Sequence, residues 1–366
     1  MTTILSVVGA RPNFMKLAPL ARALATRAGV RHVIVHTGQH YDEEMSETFL
    51  RSLAIPRPDF NLAAGSASHA QQTAVIMQRF EPVCLEVRPD IVLVYGDVNS
   101  TLAAALVAAK LGITVGHVEA GLRSRDWTMP EEINRVVTDR LSQLLFTPSR
   151  DADENLRAEG VDAARVHFVG NIMIDSLVHM LPDARRTNGR HHKGTGPYAV
   201  VTLHRPANVD DPAALSEILA ALADLSGEQR ILFPVHPRTR ARLAALGWRP
   251  PSERLALLDP VPYTDMLGLV LHSALVITDS GGLQEETSFL GVPCLTVRPN
   301  TERPITCTAG TNRLVAAQRG AIRAGAHAAT AARPSAPPAI ELWDGKTAER
   351  IARILCCDSA APGGFQ

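Results

Sequence analysis

Three carboxylates occur where the amino-acid sequence changes from an apolar strand to a polar loop or to the start of a helix. Asp97 follows the apolar run IVLVY, Glu119 follows VGHV, and Glu131 lies in the segment MPEE at a predicted helix start. In an open α/β sheet, ligands bind at the carboxyl ends of the strands. Each acid alone could cap a turn or complement a helix dipole. Together they indicate a site for general acid–base chemistry.

Cationic residues and small residues that favour anions follow other predicted strands. Arg11 lies in the glycine turn after the first strand, and His204 and Arg205 come directly after the strand YAVVTL. Ser280-Gly281-Gly282 opens a predicted helix, whose first N–H groups and positive dipole end favour a phosphate. With Arg303, these residues predict a site for a diphosphate.

These residue types are typical of an enzyme that acts on a nucleotide-linked sugar. Glu285 and Glu286 lie on the helix after the glycines, and one of them should face the loop and accept hydrogen bonds from ribose hydroxyls. The sequence contains neither a dinucleotide fingerprint nor an aspartate-rich metal motif. We therefore expect no cofactor and no metal ion. We expect a reaction in which proton transfer accompanies departure of a diphosphate.

Alternating strand and helix patterns must position these residues. The pattern restarts at residue 198, after a polar, basic segment, and the Ala/Pro-rich segment 324–339 is expected to be irregular. This alternation predicts an α/β protein with two doubly wound, Rossmann-like domains and a ligand cleft between them. The first predicted strands and helices are at residues 3–8, 14–28, 31–36, 71–87 and 91–95.

Length and charge limit the kinds of partner. The chain has 366 residues, enough for two domains, and 37 basic and 37 acidic residues, so its net charge is zero. A general attraction to nucleic acid or to an anionic membrane is therefore not expected. The first residues predict a strand rather than a signal peptide, and no apolar run approaches the roughly 20 residues of a membrane span. The five cysteines form no CxxC motif, and we expect a soluble, cytoplasmic protein with reduced thiols.

Short sequence blocks along nearly the whole chain resemble the non-hydrolysing UDP-N-acetylglucosamine 2-epimerases. The number and order of the blocks make the resemblance specific. The blocks are GARPNFMK at 9–16, HTGQH at 36–40, GDVNST at 96–101, HVEAGLRS at 117–124, MPEEINR at 129–135, GN at 170–171, TLHRP at 202–206, PVHPRT at 234–239, DSGGLQEE at 279–286, TERP at 301–304 and LWDGK at 342–346.

The resemblance implies the glycosyltransferase-B architecture of two Rossmann-like domains. With the boundary placed slightly upstream of the polar, basic segment 183–197, we expect an N-terminal domain over residues 1–172 that carries the catalytic acids and a C-terminal UDP-binding domain over 173–342. A last helix, within 343–366, is expected to cross back to the first domain. The family also implies a UDP-sugar substrate and usually a homodimer.

The activity that the resemblance implies is inversion of C2 of the sugar, which interconverts UDP-GlcNAc and UDP-ManNAc. A proton leaves C2 as UDP leaves C1, and re-addition to the enzyme-bound 2-acetamidoglucal, with the proton on the other face, completes the inversion. The residues that match the family's catalytic residues are Asp97, Glu119, Glu131 and His204. The residues of the matching blocks expected to bind substrate are Arg11, Lys16, Arg205, Ser280, Gly281, Gly282, Glu286 and Arg303, of which Lys16 could also orient a carboxylate.

Differences from the best-known bacterial members concern regulation. In members that UDP-GlcNAc activates from a second site, side chains near the HTGQH segment and on the next helix take part, and Val75 stands where an arginine aligns. Gln39, His40 and His236 are present and are candidates for such a second or interdomain site. We expect weak or absent activation by substrate. Three further differences, at positions where many members have glutamate, are Asn13, Ala207 and Ile305.

Related activities fit the same residues. A hydrolysing epimerase would release ManNAc and UDP, and a 2-epimerase of UDP-2,3-diacetamido-glucuronic acid would share the GARP and HTGQH blocks. Water access and the pocket around C3 and C5 of the sugar decide between them, and the sequence shows neither. A glycosyltransferase of the same fold would need an acceptor site and would leave three converging acids unexplained. A UDP-sugar-binding protein without activity would leave the acids and His204 unexplained.

Overall fold

The computed structural model describes residues 1–38, 53, 55–187 and 196–357. The chain divides into two compact units. One consists of Met1–Ser176 and Glu341–Gln366, and the other of Leu177–Ile340. Each unit contains one parallel sheet with helices between its strands. No helix in the described ranges is both long and apolar enough to span a bilayer.

Within the described residues, the first unit is built on a seven-stranded sheet. All neighbouring strands pair in parallel. The strand order is β3-β2-β1-β4-β5-β6-β7, so it reverses between β1 and β4, the kind of point at which α/β sheets bind ligands. The strands are β1 (Thr2–Val8), β2 (Val30–His36), β3 (Phe60–Asn61), β4 (Ile91–Tyr95), β5 (Thr114–Val118), β6 (Leu144–Thr147) and β7 (Val166–Phe168).

The helices of the first unit differ in what they bury. The alanine-rich α3 buries small side chains such as Ala103 and Ala104 in the core beside β4, which lets it lie close to the sheet. By contrast, α4 buries polar and charged side chains, among them Glu132, Arg135 and Asp139. The described helices up to Arg186, the last of which passes into the second unit at Leu177, are α1 (Arg11–Ala25), α2 (His69–Val87), α3 (Asn99–Lys110), α4 (Pro130–Leu141), α5 (Arg150–Ala158) and α6 (Ile172–Arg186), with a 3₁₀ turn at Ala163–Arg165.

The second unit repeats the same strand order on a six-stranded parallel sheet, as far as the described residues show. The order β10-β9-β8-β11-β12-β13 again reverses next to its first strand, between β8 and β11. The strands are β8 (Tyr198–Thr202), β9 (Arg230–Pro234), β10 (Leu255–Leu258), β11 (Leu275–Thr278), β12 (Cys294–Val297) and β13 (Asn312–Val315). The helices are α7 (Pro206–Val209), α8 (Pro212–Ser226), α9 (Pro237–Ala245), α10 (Tyr263–Leu271), α11 (Gly281–Leu290), α12 (Ile305–Thr308) and α13 (Arg319–Ala331).

The predicted fold class, α/β with two doubly wound Rossmann-like domains of the glycosyltransferase-B type, is confirmed. Two local predictions differ from the structure. The first helix begins at Arg11 rather than near residue 14, because Pro12 fits the first turn of a helix. The prediction that 324–339 is irregular is wrong for 324–331, which lie in α13. Alanine has the highest helix propensity, and the prolines of this segment begin only at Pro334.

The last described helix, α14 (Thr347–Cys357), belongs to the first unit, where a buried acid caps it. The Asp175 carboxylate accepts hydrogen bonds of 3.1 and 2.7 Å from the first two backbone N–H groups of α14. Just before the helix, the Trp343 indole N–H donates to the carbonyl of Pro148 over 3.0 Å. These contacts attach the end of the described chain to the unit that contains β1 to β7.

A glycine makes this attachment possible. Gly170 has a φ of +90°, and a Cβ at this position would lie 2.2 Å from the carbonyl oxygen of Leu342. Gly160 has a similar φ of +74°, but nothing lies within 4 Å of the corresponding Cβ position. The two glycines therefore share the backbone conformation and differ in the close approach.

We expect Gly170→Ala to destabilise the protein more than Gly160→Ala does. Both substitutions place a Cβ on a left-handed backbone, which costs about 1–2 kcal/mol. Gly170→Ala also forces the segment at Leu342 to move, which adds about 1–3 kcal/mol. Denaturant unfolding of both variants checks this difference, and equal losses of stability would show that residues 341–357 do not pack as described.

Candidate active site

Asp97 and Glu119 follow adjacent strands of the first sheet. β4 and β5 pair in register, with Tyr95 opposite Val118, and the Gly96 N–H donates to the Val118 carbonyl over 3.0 Å. Asp97 lies two residues after β4, and Glu119 lies one residue after β5. The sheet therefore brings the first two predicted acids to one edge, next to its point of strand reversal.

Helix α4 holds Asp97. The Arg135 guanidinium pairs with the Asp97 carboxylate, and the side-chain amide of Asn134 donates to the Asp97 carbonyl over 2.9 Å. Arg135 is buried, whereas 26% of the Asp97 side chain is exposed. The carboxylate is thus fixed from the protein side and open to solvent, as a group that contacts a ligand must be.

Glu119 is buried beside Lys16. The Lys16 ammonium lies 2.7 Å from Glu119 Oε2, and both side chains are almost fully enclosed. Gly96 makes room for this pair, because a Cβ there would lie 2.6 Å from the Lys16 nitrogen. The φ of Glu119 is +75°, a value that non-glycine residues rarely adopt and that occurs most often at functional sites.

The two neighbouring glutamates at the start of α4 have different roles. Glu131 is exposed in the first turn. Glu132 is buried and accepts hydrogen bonds from the Ser124 N–H and hydroxyl, both 2.9 Å, and from the Arg125 N–H, 2.7 Å. Burial alone would raise the pKa of Glu132, but these hydrogen bonds and the charge of Arg135 hold it below its usual value. Glu132 therefore fixes the loop after Glu119, a role that the sequence analysis did not assign.

The sequence analysis also assigned no role to a buried histidine in β5 and a buried aspartate on α4. His117, in β5, and Asp139, on α4, hydrogen-bond to each other over 2.6 Å and are fully enclosed. Asp139 also pairs with Arg123. The spacing of Glu132, Arg135 and Asp139, at i, i+3 and i+7, places all three on one face of a helix. That spacing was the signal that could have indicated a polar face of α4 turned toward the strand ends.

In the second unit, a buried aspartate organises the loop that carries His204. β8 and β11 are adjacent, with Thr202 opposite Thr278. Asp279, directly after β11 and fully buried, lies 2.8 Å from His204 Nδ1 and accepts hydrogen bonds from the N–H groups of His204 and Arg205. Burial alone would raise the pKa of Asp279, but the bonds from His204 and Arg205 lower it.

Asp279 also determines which His204 nitrogen can act. A carboxylate accepts hydrogen bonds, so His204 carries a proton on Nδ1 and presents Nε2. The side chain of His204 is 42% exposed. Arg205 is likewise held by Asp279 and partly exposed. Its Nε donates to the Asp279 carbonyl over 3.0 Å, and 28% of its side chain is exposed. Asp279, which the sequence analysis did not assign, thus orients two predicted site residues.

The glycines at the start of α11 have unequal surroundings. A Cβ on Gly281 would lie 2.8 Å from the Arg303 guanidinium, whereas nothing lies within 4 Å of the Cβ position of Gly282. Arg303 is buried, and its guanidinium pairs with Glu285, over 2.8 Å, and with Glu302. The charge of Arg303 is therefore compensated within the protein. The open, positive end of α11 is at Ser280 and the two glycines.

Glu286 lies behind this helix start. It is buried, and the Tyr263 hydroxyl donates to its Oε1 over 3.1 Å. Burial and the neighbouring Glu285 raise the pKa of Glu286 to about 8, although the Tyr263 hydrogen bond opposes the shift. Tyr263, from α10, is a second side chain of this unit, after Asp279, that the sequence analysis did not assign.

His236 lies next to His204, with ring centroids 5.9 Å apart. It caps α9, because its Nδ1 accepts the N–H of Arg238 over 3.2 Å. Burial and the charges of His204 and Arg238 lower its pKa. His236 therefore neighbours a predicted catalytic residue of its own unit. The other candidates for a second site, Gln39 and His40, lie outside the described residues, as does the side chain of Arg11.

Among the residues that the structure describes, no three His, Cys, Asp or Glu side chains form a group that could hold a metal ion. The candidate groups of the first unit are carboxylates paired with buried cations, and those of the second unit are a histidine and a helix N-terminus.

Comparisons with known proteins show which family this chain resembles. The family model described as UDP-N-acetylglucosamine 2-epimerase matches residues 22–356. A UDP-N-acetylglucosamine 2-epimerase of Methanococcus maripaludis is 41% identical over 84% of this chain and 86% of its own length. The UDP-2,3-diacetamido-2,3-dideoxy-D-glucuronate 2-epimerase of Pseudomonas aeruginosa is 42% identical over 87% of this chain and 90% of its own.

A solved structure extends the similarity to three dimensions. It is the crystal structure of Methanocaldococcus jannaschii UDP-GlcNAc 2-epimerase in complex with UDP-GlcNAc and UDP. It matches this chain with a TM-score of 0.89 and 38% identity, and the match covers 97% of this chain and 100% of that one. The acids after β4 and β5, the histidine after β8 and these similarities lead to one conclusion: the chain belongs to the UDP-N-acetylglucosamine 2-epimerase family.

Proposed function

We propose that this protein is a non-hydrolysing UDP-N-acetylglucosamine 2-epimerase, which interconverts UDP-GlcNAc and UDP-ManNAc without a cofactor. The observation that carries the proposal is the pair of carboxylates after β4 and β5, each beside a buried cation. Asp97 pairs with Arg135, and Glu119 pairs with Lys16. We also propose that the protein acts as a cytoplasmic homodimer, with its N-terminal domain ending near residue 172.

The reaction needs proton transfer at a carbon that is barely acidic. The C2–H bond breaks with its proton passing to a carboxylate, its electrons form the C1=C2 bond, and the C1–O bond breaks with its electron pair passing to the β-phosphate of UDP. Return of a proton to the opposite face of C2 and of UDP to C1 completes the inversion. Two acid–base groups are required, and Asp97, Glu119 and Glu131 are the candidates in this chain.

The second unit has the groups that would bind UDP and stabilise its departure. The N-terminus of α11, with Gly282 open above it, suits the diphosphate because its N–H groups lack helical partners. His204, held through Nδ1 by Asp279, would present Nε2 to the leaving β-phosphate and, in its doubly protonated form, donate a hydrogen bond to it. Arg11, Arg205 and Ser280 would add phosphate contacts, and Glu286 would bind the ribose.

A second candidate substrate is UDP-2,3-diacetamido-2,3-dideoxy-glucuronate. The Pseudomonas aeruginosa 2-epimerase of that sugar is 42% identical to this chain, and the Methanococcus maripaludis UDP-GlcNAc 2-epimerase is 41% identical. Sequence similarity therefore supports both substrates equally. Both sugars would undergo the same chemistry at C2. They differ in the groups at C3 and C5, which the acids after β4 and β5 do not need to distinguish.

Incubation of the purified protein with each UDP-sugar in D₂O, followed by proton NMR, tests both parts of the proposal. We expect UDP-ManNAc to form from UDP-GlcNAc with deuterium at C2, because the proton exchanges through carboxylates. Free ManNAc and UDP would assign the hydrolysing reaction instead. Turnover of the uronate alone would assign the second substrate, and the absence of turnover with both sugars would contradict a 2-epimerase function.

The raised pKa of Glu286 gives a pH-dependent prediction. The folded-state value of about 8 lies above the ordinary 4.5, so the stability that the neutral carboxyl contributes is lost as pH rises through 8. For one such group the loss is at most about 1.4 kcal/mol per pH unit. Glu286→Gln stays neutral, so its melting temperature should fall less than that of the parent between pH 6 and pH 9.

The exposed Glu253→Gln is the matched control, and it should follow the parent at both pH values. Tyr263→Phe removes the bond that opposes the shift and should keep the pH dependence. If the parent and Glu286→Gln lost the same amount between pH 6 and pH 9, Glu286 would not be a neutral, buried acid in the free protein.

A further inference from the structure

The buried pair of His117 and Asp139 has no part in the reaction described above. The two side chains have relative exposures of 0% and 1%, and His117 Nδ1 lies 2.6 Å from Asp139 Oδ1. Burying two ionisable groups is costly unless their partners are well arranged. Two apolar side chains could fill the same space, so filling the core does not explain why an ionisable pair is buried here.

The outer contacts of the pair reach both loops that carry the acids. His117 Nε2 donates to the carbonyl of Gly96, the residue before Asp97, over 2.7 Å. Asp139 Oδ2 accepts the N–H of Gly121, two residues after Glu119, over 3.0 Å. One chain of hydrogen bonds therefore runs from the loop after β4, through β5 and α4, to the loop after β5.

We infer that His117 and Asp139 are positioning residues, which set the separation between the Asp97 and Glu119 carboxylates. The inference rests on the proposed function, because it assumes that these two acids act on one sugar. Neither His117 nor Asp139 contacts the substrate in this account. They act through the backbone of the two loops.

Backbone conformation explains why the loops need such a support. Gly96 has a φ of +63°, Glu119 of +75° and Gly121 of +82°. Strained conformations persist only where the surrounding structure determines them. Only Glu119 is a non-glycine residue at such a φ, since glycine adopts it without strain. The pair bonds to the backbone of Gly96, just before Asp97, and of Gly121, two residues after Glu119, so that neither loop can shift without breaking a buried hydrogen bond. Misplacement of a catalytic group by about 1 Å can cost roughly 100-fold in rate.

Asp139 also belongs to a network of charged side chains on the outer side of the pair. Arg123 lies 2.7 Å from Asp139 and makes two hydrogen bonds of 2.7 Å to Glu159, whose side chain is 39% exposed. Glu159 thus joins the same network on its outer side, through Arg123. A substitution there perturbs the network's charge without touching the bonds to Gly96 or Gly121, which makes it a matched control.

The test compares His117→Gln, Asp139→Asn and Glu159→Gln with the parent enzyme. For each protein we would measure kcat per UDP-binding site, KM for UDP-GlcNAc and the melting temperature. The assays are run well below that temperature. We expect kcat to fall roughly 10- to 100-fold in His117→Gln and Asp139→Asn, with KM within about threefold of the parent. Glu159→Gln should lower the melting temperature and leave kcat unchanged.

Each other result has a defined meaning. Parental kcat in His117→Gln and Asp139→Asn, with only lower melting temperatures, would show that the pair is merely structural and overturn the inference. The same holds if both variants fail to fold and bind no UDP, or if Glu159→Gln loses as much kcat as they do. If the parent enzyme itself has no 2-epimerase activity in this assay, the proposed function fails, and this outcome is distinct from the others.

Discussion

The structure of the first unit depends on the need to pair buried charges at the carboxyl edge of its sheet. Glu119 and Asp139 are enclosed, and each has a cation at 2.7 Å, Lys16 and Arg123 respectively. Removing one partner of such a pair leaves an uncompensated buried charge, which costs about 3–5 kcal/mol. The unit can therefore enclose these two carboxylates only because Lys16 and Arg123 compensate their charge.

Helix α4 contributes buried polar side chains that meet this need. Its buried residues are polar, and one face joins the loops after β4 and β5 through Glu132, Arg135 and Asp139. The opposite face exposes Ile133 and Val137. The second unit meets a similar need with one residue, since Asp279 orients His204 and holds the backbone of Arg205. In each unit a buried acid at the carboxyl edge of the sheet fixes candidate site residues or the loops that carry them.

The amino-acid sequence was sufficient for the fold class because strand and helix periodicity alternate in both halves. It also located Asp97, Glu119 and His204 at strand ends, since these follow apolar runs directly. It could not identify Asp139 or Asp279 as organising residues. Asp139 contacts His117, 22 positions earlier in the sequence, and Asp279 contacts His204, 75 positions earlier. The order of the strands in each sheet decides that residues so far apart in sequence meet. Glu131 and Glu132 illustrate the same limit: helical phase alone decides that one is exposed and the other is buried.

The central claim is that acids of the first unit move the C2 proton while the second unit binds UDP. The most direct test is the rate of solvent deuterium incorporation at C2 of UDP-GlcNAc in Asp97→Asn and Glu119→Gln, measured beside UDP affinity, with the exposed Glu86→Gln as control. We expect exchange to fall by about 10²- to 10⁴-fold in both variants while UDP affinity stays within about threefold of the parent. Exchange at the parental rate in either variant would show that the substituted acid does not transfer the C2 proton.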